Sequence, residues 1–542
     1  MKKRILLFAL MTAAAMLCAA CAPADDGEVT TAPTETVLFT RGSDGGYVIV
    51  TGADAALRER DAAEMLADAF ELRLGARPAV IDDTASPAER EILVGVTNRG
   101  SGGLWDVSLH RSDDWYIGIK DGKIYILGGS DAAVYSAAEA FALKKLANAA
   151  DTLTLSSDDP LEYTQTSCRI SSITIDGAEV RRMSVGVTGG SFESEAARAL
   201  AAAITENYGY AATLCGSADD SADLLLTTVT DTPEYSALLG SHAAVLTAKS
   251  GKAVLAARDA GTLASAAAAL AQRLGEVDAL SLTDGAAAFT YDPDDTLRVM
   301  SFNILGNTDI AKRRTAVLWV IAKNSPDIFG IQEGKSDWLI YLGAKLDGIY
   351  ASVGKGSGEN GGADTFDNIY YRTDRFELLE WDTVWLSDTP DVAGSKFSES
   401  KRVRIATYAL LCDRQNGKKL LYINTHLDNA SSAARLKQAA VLLELTKKFD
   451  CPVAVSGDFN SDMTSAVYEK ITSVLSDSRT DAAVRDPHPT FNRLGSGIGT
   501  VLDYIFFSRD VELLSYRVSS ALYTGGVYPS DHNAITVTFR LK

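Results

Sequence analysis

Tyr528-Pro-Ser-Asp-His-Asn-Ala-Ile535 is the stretch on which the reading of this chain turns. An adjacent Asp531-His532 pair stands just ahead of a β-branched run, Ile535-Thr-Val-Thr538, that reads as a closing strand. α/β proteins display chemistry-bearing side chains at the ends of buried strands. A carboxylate takes a hard cation and an imidazole handles protons, so the pair suits metal binding and phosphate chemistry. Alone, two polar residues at the start of a strand are more often a cap. Further polar clusters, each beside a predicted strand, change that weighting.

Working back from the stretch, Leu502-Asp503-Tyr-Ile-Phe-Phe507 supplies a second acidic strand end. Before it come Val455-Ser-Gly-Asp458-Phe-Asn460-Ser and Tyr422-Ile-Asn-Thr-His426-Leu-Asp428. Earlier still are Pro326-Asp-Ile-Phe-Gly-Ile-Gln-Glu333, behind a predicted helix over 311–323, and Ser301-Phe-Asn303, closing a strand that opens at Leu297. In this order the clusters resemble the endonuclease/exonuclease/phosphatase superfamily, the deoxyribonuclease-I-like proteins. That superfamily includes nucleases, abasic-site endonucleases, neutral sphingomyelinases and inositol-polyphosphate phosphatases. The resemblance spans residues 296–542. Asn368-Ile-Tyr-Tyr-Arg372, Trp385-Leu-Ser-Asp-Thr-Pro390 and Arg404-Ile-Ala-Thr-Tyr408 look like a secreted bacterial branch. The fold implied is a four-layer α/β sandwich, two packed sheets flanked by helices.

Hydrolysis of a phosphate ester needs a cation on a nonbridging oxygen, an activated water and help for the leaving oxygen. Glu333 is the expected ligand for Mg²⁺ or Mn²⁺, Asp531 supplies a second carboxylate, and Asn303 completes the metal set by orienting water or phosphate. Asp458 and Asn460, two apart, are expected on one side of a strand end, holding the attacking water and a phosphoryl oxygen. His532 is expected against the phosphate, its tautomer set by Asp503. The family's Asn-Thr-His-Leu pattern implies that His426 protonates the leaving oxygen. Each residue has a bland alternative, a tied-off strand end or a turn cap. Six ordered clusters outweigh it.

The front half tells a different story. Tyr47-Val-Ile-Val50, a helical pattern over 54–74, Glu91-Ile-Leu-Val-Gly95, a hairpin about Asp121-Gly122 and an Ala-rich helix from Asp131 follow one another. Met183–Val187, a helix from Glu193, Asp223–Thr227, a hairpin about Ser250-Gly251 and a helix over 260–274 repeat the series. The repeat, at about 130 residues, is too long for a solenoid and predicts two tandem β-α-β-β-β-α domains. Tyr47-Val-Ile-Val, Ala62-Ala-Glu-Met-Leu, Glu91-Ile-Leu-Val-Gly and Ile126-Leu-Gly-Gly resemble the small α/β domain preceding the barrel in α-glucuronidase and hexosaminidase-type glycoside hydrolases. That resemblance implies a scaffold or a glycan contact. His110 and His242 read as surface or satisfied residues.

The expected organisation is a signal peptide over 1–21, a linker over 22–36, small α/β copies over 37–155 and 165–290, and a catalytic domain over 291–542 that folds and works alone. The overall class is α/β (α+β). Lys2, Lys3 and Arg4 precede a short apolar run that ends Cys18-Ala-Ala-Cys21, resembling a bacterial lipobox. Export follows, with a lipid anchor at Cys21 on the cell surface or periplasmic face. A plain signal peptide cut near Ala20 or Ala24 is the alternative. Cys168, Cys215, Cys412 and Cys451 show no CxxC spacing and read as thiols. The formal net charge is -19, which disfavours a general binder of nucleic acid or anionic membrane. Most of it lies before residue 291; the remainder of the chain sums to only -3 and leaves room for an anionic substrate. Lipid head group, sugar or inositol phosphate, nucleotide and nucleic acid all satisfy such a centre. An extracellular nuclease is one alternative, and a non-enzymatic glycan-binding surface protein with a vestigial site is another.

Overall fold

The computed structural model describes residues 34–166, 168–215, 222–358, 365–496 and 498–542. The expected signal, the expected anchor at Cys21 and most of the expected linker lie outside them. No helix among the described residues is long and apolar enough to cross a membrane. The chain divides into two compact units. One holds the first copy together with 180–183 and 204–212; the other holds 174–179, 184–203 and 213–542.

The first copy is a six-stranded sheet in the order Ala79–Asp82, Val48–Thr51, Glu91–Val94, Lys123–Gly128, Trp115–Lys120, Leu161–Tyr163. Helices Leu57–Leu74 and Asp131–Phe141 cover one face, where Leu66, Phe70 and Phe141 meet Ile49, Ile92 and Ile124. The second copy runs Ala212–Leu214, Met183–Val187, Leu224–Thr228, Lys252–Ala257, Ala244–Lys249, Phe289–Tyr291, which is the same order. Asp121-Gly122 and Ser250-Gly251 turn the two hairpins with φ of 51°, 71°, 53° and 77°. Two successive positive values define the turn that matches strand twist, and they explain a Gly at each second position. Each copy also has two strands that the sequence reading lacked. Ala79–Asp82 and Ala212–Leu214 follow the first helix as short edges, and Leu161–Tyr163 and Phe289–Tyr291 close the far side. The first sheet therefore extends past residue 155. Three- and four-residue edge strands carry too little alternation to stand out in a sequence.

The back half stacks two sheets. One is ordered Tyr350–Val353, Ile369–Arg372, Ile328–Gln332, Thr296–Asn303, Ala534–Leu541, Val511–Ser519, Val484–Arg485. The other is ordered Phe376–Trp385, Ile405–Asp413, Lys419–His426, Val453–Asp458, Asp503–Phe507, Ser476–Asp477. Val299, Ile328, Ile535 and Val537 pack between the sheets against Ala409, Tyr422, Ala454 and Ile505. Helices Ile310–Asn324 and Ser336–Leu346 cover the first sheet, and Ser432–Leu445 and Ala466–Thr472 the second. Four layers result, as the clusters implied. Strands buried on both faces read as continuous apolar runs, which is why their polar ends stood out.

The second copy does not stand apart from this sandwich. Its Phe192, Ala196, Ala199 and Ala264 share one apolar cluster with Trp319, Phe329, Trp338 and Tyr350. Arg372 of the sandwich donates to the Gly261 carbonyl at 3.1 Å and to Ser265 Oγ at 2.6 Å. The expectation that 291–542 folds alone meets a physical objection: cutting there would strip the cover from this cluster and leave the Arg372 guanidinium without those acceptors.

Candidate active site

Register gathers the polar strand ends. Asn303 pairs in parallel with Gln332, placing Asn303 beside Glu333 at one end of the first sheet. In the second sheet His426 pairs with Asp458 in parallel, and Asp458 with Asp503 in antiparallel register. Arg313, buried on helix Ile310–Asn324, donates to Ile304 O at 2.9 Å and Pro529 O at 2.6 Å, so it ties the approach to Asp531-His532 onto the Asn303 strand. Ser530 Oγ donates to Asn303 O at 2.6 Å and accepts the His532 N–H at 3.2 Å.

Asp458, Asp503 and His532 converge in the buried centre. His532 Nδ1 lies 2.8 Å from Asp503 Oδ2, the contact the sequence led us to expect, and Nε2 lies 3.7 Å from Asp458 Oδ2. The Phe491 ring stands 4.7 Å from the imidazole, centroid to centroid. Burial alone would lower the imidazole pKa, but Asp503 and then Asp458 outweigh it and push it up to about 10. His532 is therefore an imidazolium at neutral pH. Burial, with Asp503 adding to it, raises the Asp458 carboxyl above the ordinary aspartate range against the pull of His532.

His426 behaves in the opposite way. Its Nε2 takes the Asn460 amide N–H at 2.9 Å, which puts its own proton on Nδ1. Burial, then Arg404, then His532 hold its pKa well below the usual imidazole value. Nε2 also lies 3.4 Å from Asp458 Oδ2, and the role implied for His426, protonation of the leaving oxygen, requires the ring to take up a proton first. Asn460 departs from expectation. The strand ends at Asp458, Asn460 turns back at φ 48°, and its backbone N–H closes on Asp458 Oδ1 at 2.9 Å. Two-residue alternation no longer applies beyond the strand. The Asn460 amide spends its donors on His426 and on Leu427 O at 3.1 Å, so it positions the ring rather than holding an oxygen of substrate.

Glu333 and Asp531 are half-buried, unlike the centre. Glu333 sits at φ 61°, with Oε1 receiving Asn303 Nδ2 at 3.2 Å and Oε2 the Gly306 N–H at 3.1 Å. Asn303 Nδ2 also reaches Asp458 Oδ2 at 3.0 Å, while its Oδ1 accepts the Leu305 N–H. The amide thus presents hydrogen to both carboxylates and orients Glu333. Burial and then the charge of Glu333 raise the Asp531 carboxyl. Two hard-oxygen groups that repel each other at the mouth of the site fit a divalent cation. Asp458, Asp503 and His532 also bring ligand atoms within 4.8 Å of one another, close enough to hold an ion.

Two nearby groups were not singled out in the sequence. Asp367 is buried, and burial foremost pushes its carboxyl up to about 8, with Glu333 adding to the rise. Arg404 is buried on the approach to strand Ile405–Asp413. Both stand beside stretches quoted above as strands, where nothing but apolar runs drew the eye. His488, in a loop, is exposed and bonded to Asp486. In the front half His110 stacks on Trp105 at 3.6 Å and His242 bonds Asp292 at 2.6 Å. The four described cysteines are free and half-buried.

Two facing sheets whose strand ends converge on carboxylates and imidazoles define a phosphoester-cleaving class of protein. Residues 300–532 match the model of the endonuclease/exonuclease/phosphatase family. Members of the family are hydrolases of phosphoester bonds and generally use divalent metal ions. The CCR4-Not complex 3'-5'-exoribonuclease subunit Ccr4 of Debaryomyces hansenii is 24% identical over 233 residues, 32% of this chain and 27% of that protein. The chain thus spans about a quarter of that relative's length. An endonuclease/exonuclease/phosphatase from Bacteroides vulgatus is 29% identical, covering 46% of this chain and 100% of that one, with a TM-score of 0.44. The mannosyl-6-phosphatase Bt3783 of Bacteroides thetaiotaomicron is also 29% identical, covering 45% and 99% of the two chains, with a TM-score of 0.42.

Proposed function

We propose that this chain is an exported, lipid-anchored, metal-dependent phosphoester hydrolase. The observation that carries the reading is the convergence of Asp458, Asp503 and His532 beside the carboxylates of Glu333 and Asp531. Mg²⁺ or Mn²⁺ held by Glu333 and Asp531 would supply Lewis acidity at a nonbridging oxygen. The remaining work falls to the side chains. Asp458, with its raised carboxyl, is poised to take a proton from the attacking water. His532, kept protonated by Asp503 and Asp458, offers charge to the phosphoryl group and is the imidazole with a proton to give. Asn303 holds Glu333 and Asp458 in place, and Asn460 holds His426.

The substrate class is a phosphate ester: a lipid head group, a sugar or inositol phosphate, a nucleotide or nucleic acid. The second reading is an extracellular nuclease; the name of the fungal relative, an exoribonuclease subunit, supports the nuclease part of it. A glycan contact in the first copy has its own support. A cavity of about 290 Å³ there is lined by Asp113, Trp115, Ser136 and Tyr163, and aromatic faces with a carboxylate suit a sugar.

One experiment tests function and location together. The full-length protein is expressed in a bacterial host, fractionated, and assayed on a panel of phosphomonoesters and diesters with Mg²⁺, Mn²⁺ or chelator. Metal-dependent hydrolysis in the membrane fraction is expected, with Cys21→Ser moving it to the soluble fraction. Full activity after exhaustive chelation would sink the hydrolase mechanism, and activity that stays soluble in the wild type would sink the anchor.

A further inference from the structure

Arg372 of the sandwich occupies a prepared place on the second copy. It donates to Gly261 O at 3.1 Å and to Ser265 Oγ at 2.6 Å, both within the first two turns of helix Ala260–Leu274, and to Asp374 Oδ1 at 2.9 Å. A Cβ at residue 261 would stand 2.8 Å from Arg372 Nη2, so the glycine makes room for the guanidinium. Its charge is also felt at Tyr291, which bonds Ser265 and pairs across the sheet with Ala244. A helix start, a strand pair and an acid thus hold one arginine that is only 5% exposed. A guanidinium stays buried only where acceptors meet its donors.

The first copy has a matching place. Trp115 pairs with Tyr163 as Ala244 pairs with Tyr291, and the first two turns of helix Asp131–Phe141 bring Ala132 and Ser136 beside them. With Asp113 these residues line the cavity of about 290 Å³. Pockets for small molecules begin at about 300 Å³, so this one takes a single side chain or a single ring. Its chemistry matches a cation. Tyr163 is 48% exposed and stacks on Trp115 with centroids 6.3 Å apart, which presents an aromatic face. Lys144 Nζ already stands 6.0 Å from the Trp115 centroid, within the range of a cation–π contact. Asp113 is exposed and offers a carboxylate, as Asp374 does to Arg372. Most of the net charge of -19 also falls in the front half. The aromatic faces alone suit a sugar as well; the guanidinium in the matching place of the second copy decides for charge.

We propose that the first copy docks a basic protein partner by taking one of its arginine side chains into this cavity, with the guanidinium over Tyr163, paired with Asp113 and donating to Ser136. This goes beyond the phosphoester reading and does not depend on it. The two copies then share one device, used inside the molecule by the second and offered to a partner by the first.

The test uses the full chain at low ionic strength, with binding read by calorimetry. The probes are an acetylated, amidated Gly-Arg-Gly-Arg-Gly-Arg peptide, its counterparts with lysine or neutral citrulline for arginine, and methyl glucoside and methyl galactoside. The arginine peptide is expected to bind roughly tenfold more tightly than the citrulline peptide, with lysine between them, since only a planar guanidinium stacks on a ring while it pairs. Asp113→Asn should weaken the arginine peptide by roughly 5- to 10-fold, between an exposed ion pair and a charged hydrogen bond. Tyr163→Ala should weaken it about threefold. Glu162→Gln removes the same charge from a residue outside the cavity lining and should change affinity by less than about twofold. Equal affinity for the arginine and citrulline peptides would overturn the proposal, as would equal losses in Asp113→Asn and Glu162→Gln. Absence of peptide binding would do the same, whether or not a glycoside binds through Tyr163. Should Tyr163→Ala fail to fold, Asp113→Asn, at an exposed position, decides against Glu162→Gln by the same ratio.

Discussion

The two front copies are built on one strand order, yet their second helices meet different surroundings. With Asp131 set against Asp259, Ser136 and Glu139 of the first copy correspond to Ala264 and Ala267 of the second. Ser136 is exposed and Glu139 half-buried, whereas both alanines are buried. The first helix keeps a polar side; the second has become apolar nearly all round, because its own sheet lies on one side and helix Ile310–Asn324 of the sandwich on another. A helix apolar on every face is a buried helix. A few apolar residues on one face join the second copy to the core of the sandwich. Neither copy gathers a cluster of three ligand-type side chains among the described residues; the sandwich does.

The sharpest way to break that division of labour is to disable the sandwich alone. His532→Ala is expected to cost roughly 10²–10⁴-fold in kcat/KM. Asp503→Asn should cost the same or less, and the double variant little more than His532→Ala, since the pair acts as one unit. The pH profile gives the sign. The imidazolium persists up to about 10, so activity that depends on it is full at neutral pH and lost as pH rises through that value. Asp503→Asn removes a flanking negative charge, and the basic limb should move to lower pH. Multiplicative losses, or an unmoved limb, would count against the pairing.

The contrast between the copies is tested next, through matched charges. Ala264→Glu places a carboxylate in the cluster shared with Trp319 and Phe329 and should destabilise by on the order of 3 kcal/mol. Ser136→Glu, at the corresponding exposed position, should fall within about 0.5 kcal/mol of wild type. Chemical denaturation of both variants decides the matter, and similar losses would erase the distinction drawn here.

The smallest effect concerns the sandwich's own loops. Burial works to raise the Asp428 carboxyl, but the N–H groups of Ala430, Ser431, Arg402 and Lys401 together lower it. A lowered carboxyl stabilises the fold above the ordinary aspartate pKa, and that contribution disappears as pH falls through the folded value. Asp428→Asn should therefore cost roughly 2 kcal/mol at neutral pH, narrowing towards nothing in acid. A cost independent of pH would show that the amide loses something other than charge.

The sequence made the sandwich legible because polar residues are conspicuous at the ends of apolar strands, as at Gln332-Glu333, Gly457-Asp458 and Ser530-Asp531-His532. It made the His532–Asp503 contact legible for the same reason. Other features depended on geometry. Asn303 and Asn460 were recognisable as site residues, but only hydrogen-bond direction separates a group that orients a carboxylate or an imidazole from one that binds substrate. Arg404 looked like any basic residue ahead of a strand, since the burial of a single side chain leaves no trace in sequence. The shared core of the second copy did have a signal, the alanines at 264 and 266–269 interrupted only by Ser265, a helix stretch without a charged face.

Gly306 carries a consequence for anyone comparing related chains. A Cβ there would stand 2.2 Å from the Glu333 carbonyl, and its N–H is one of the two donors holding that carboxylate. Any other residue at 306 would push Glu333 aside while leaving every acid, amide and imidazole of the centre unaltered. Loss of activity through drift can therefore begin at a position with no side chain. A relative that keeps all the chemistry but has lost this glycine should be suspected of having fallen silent.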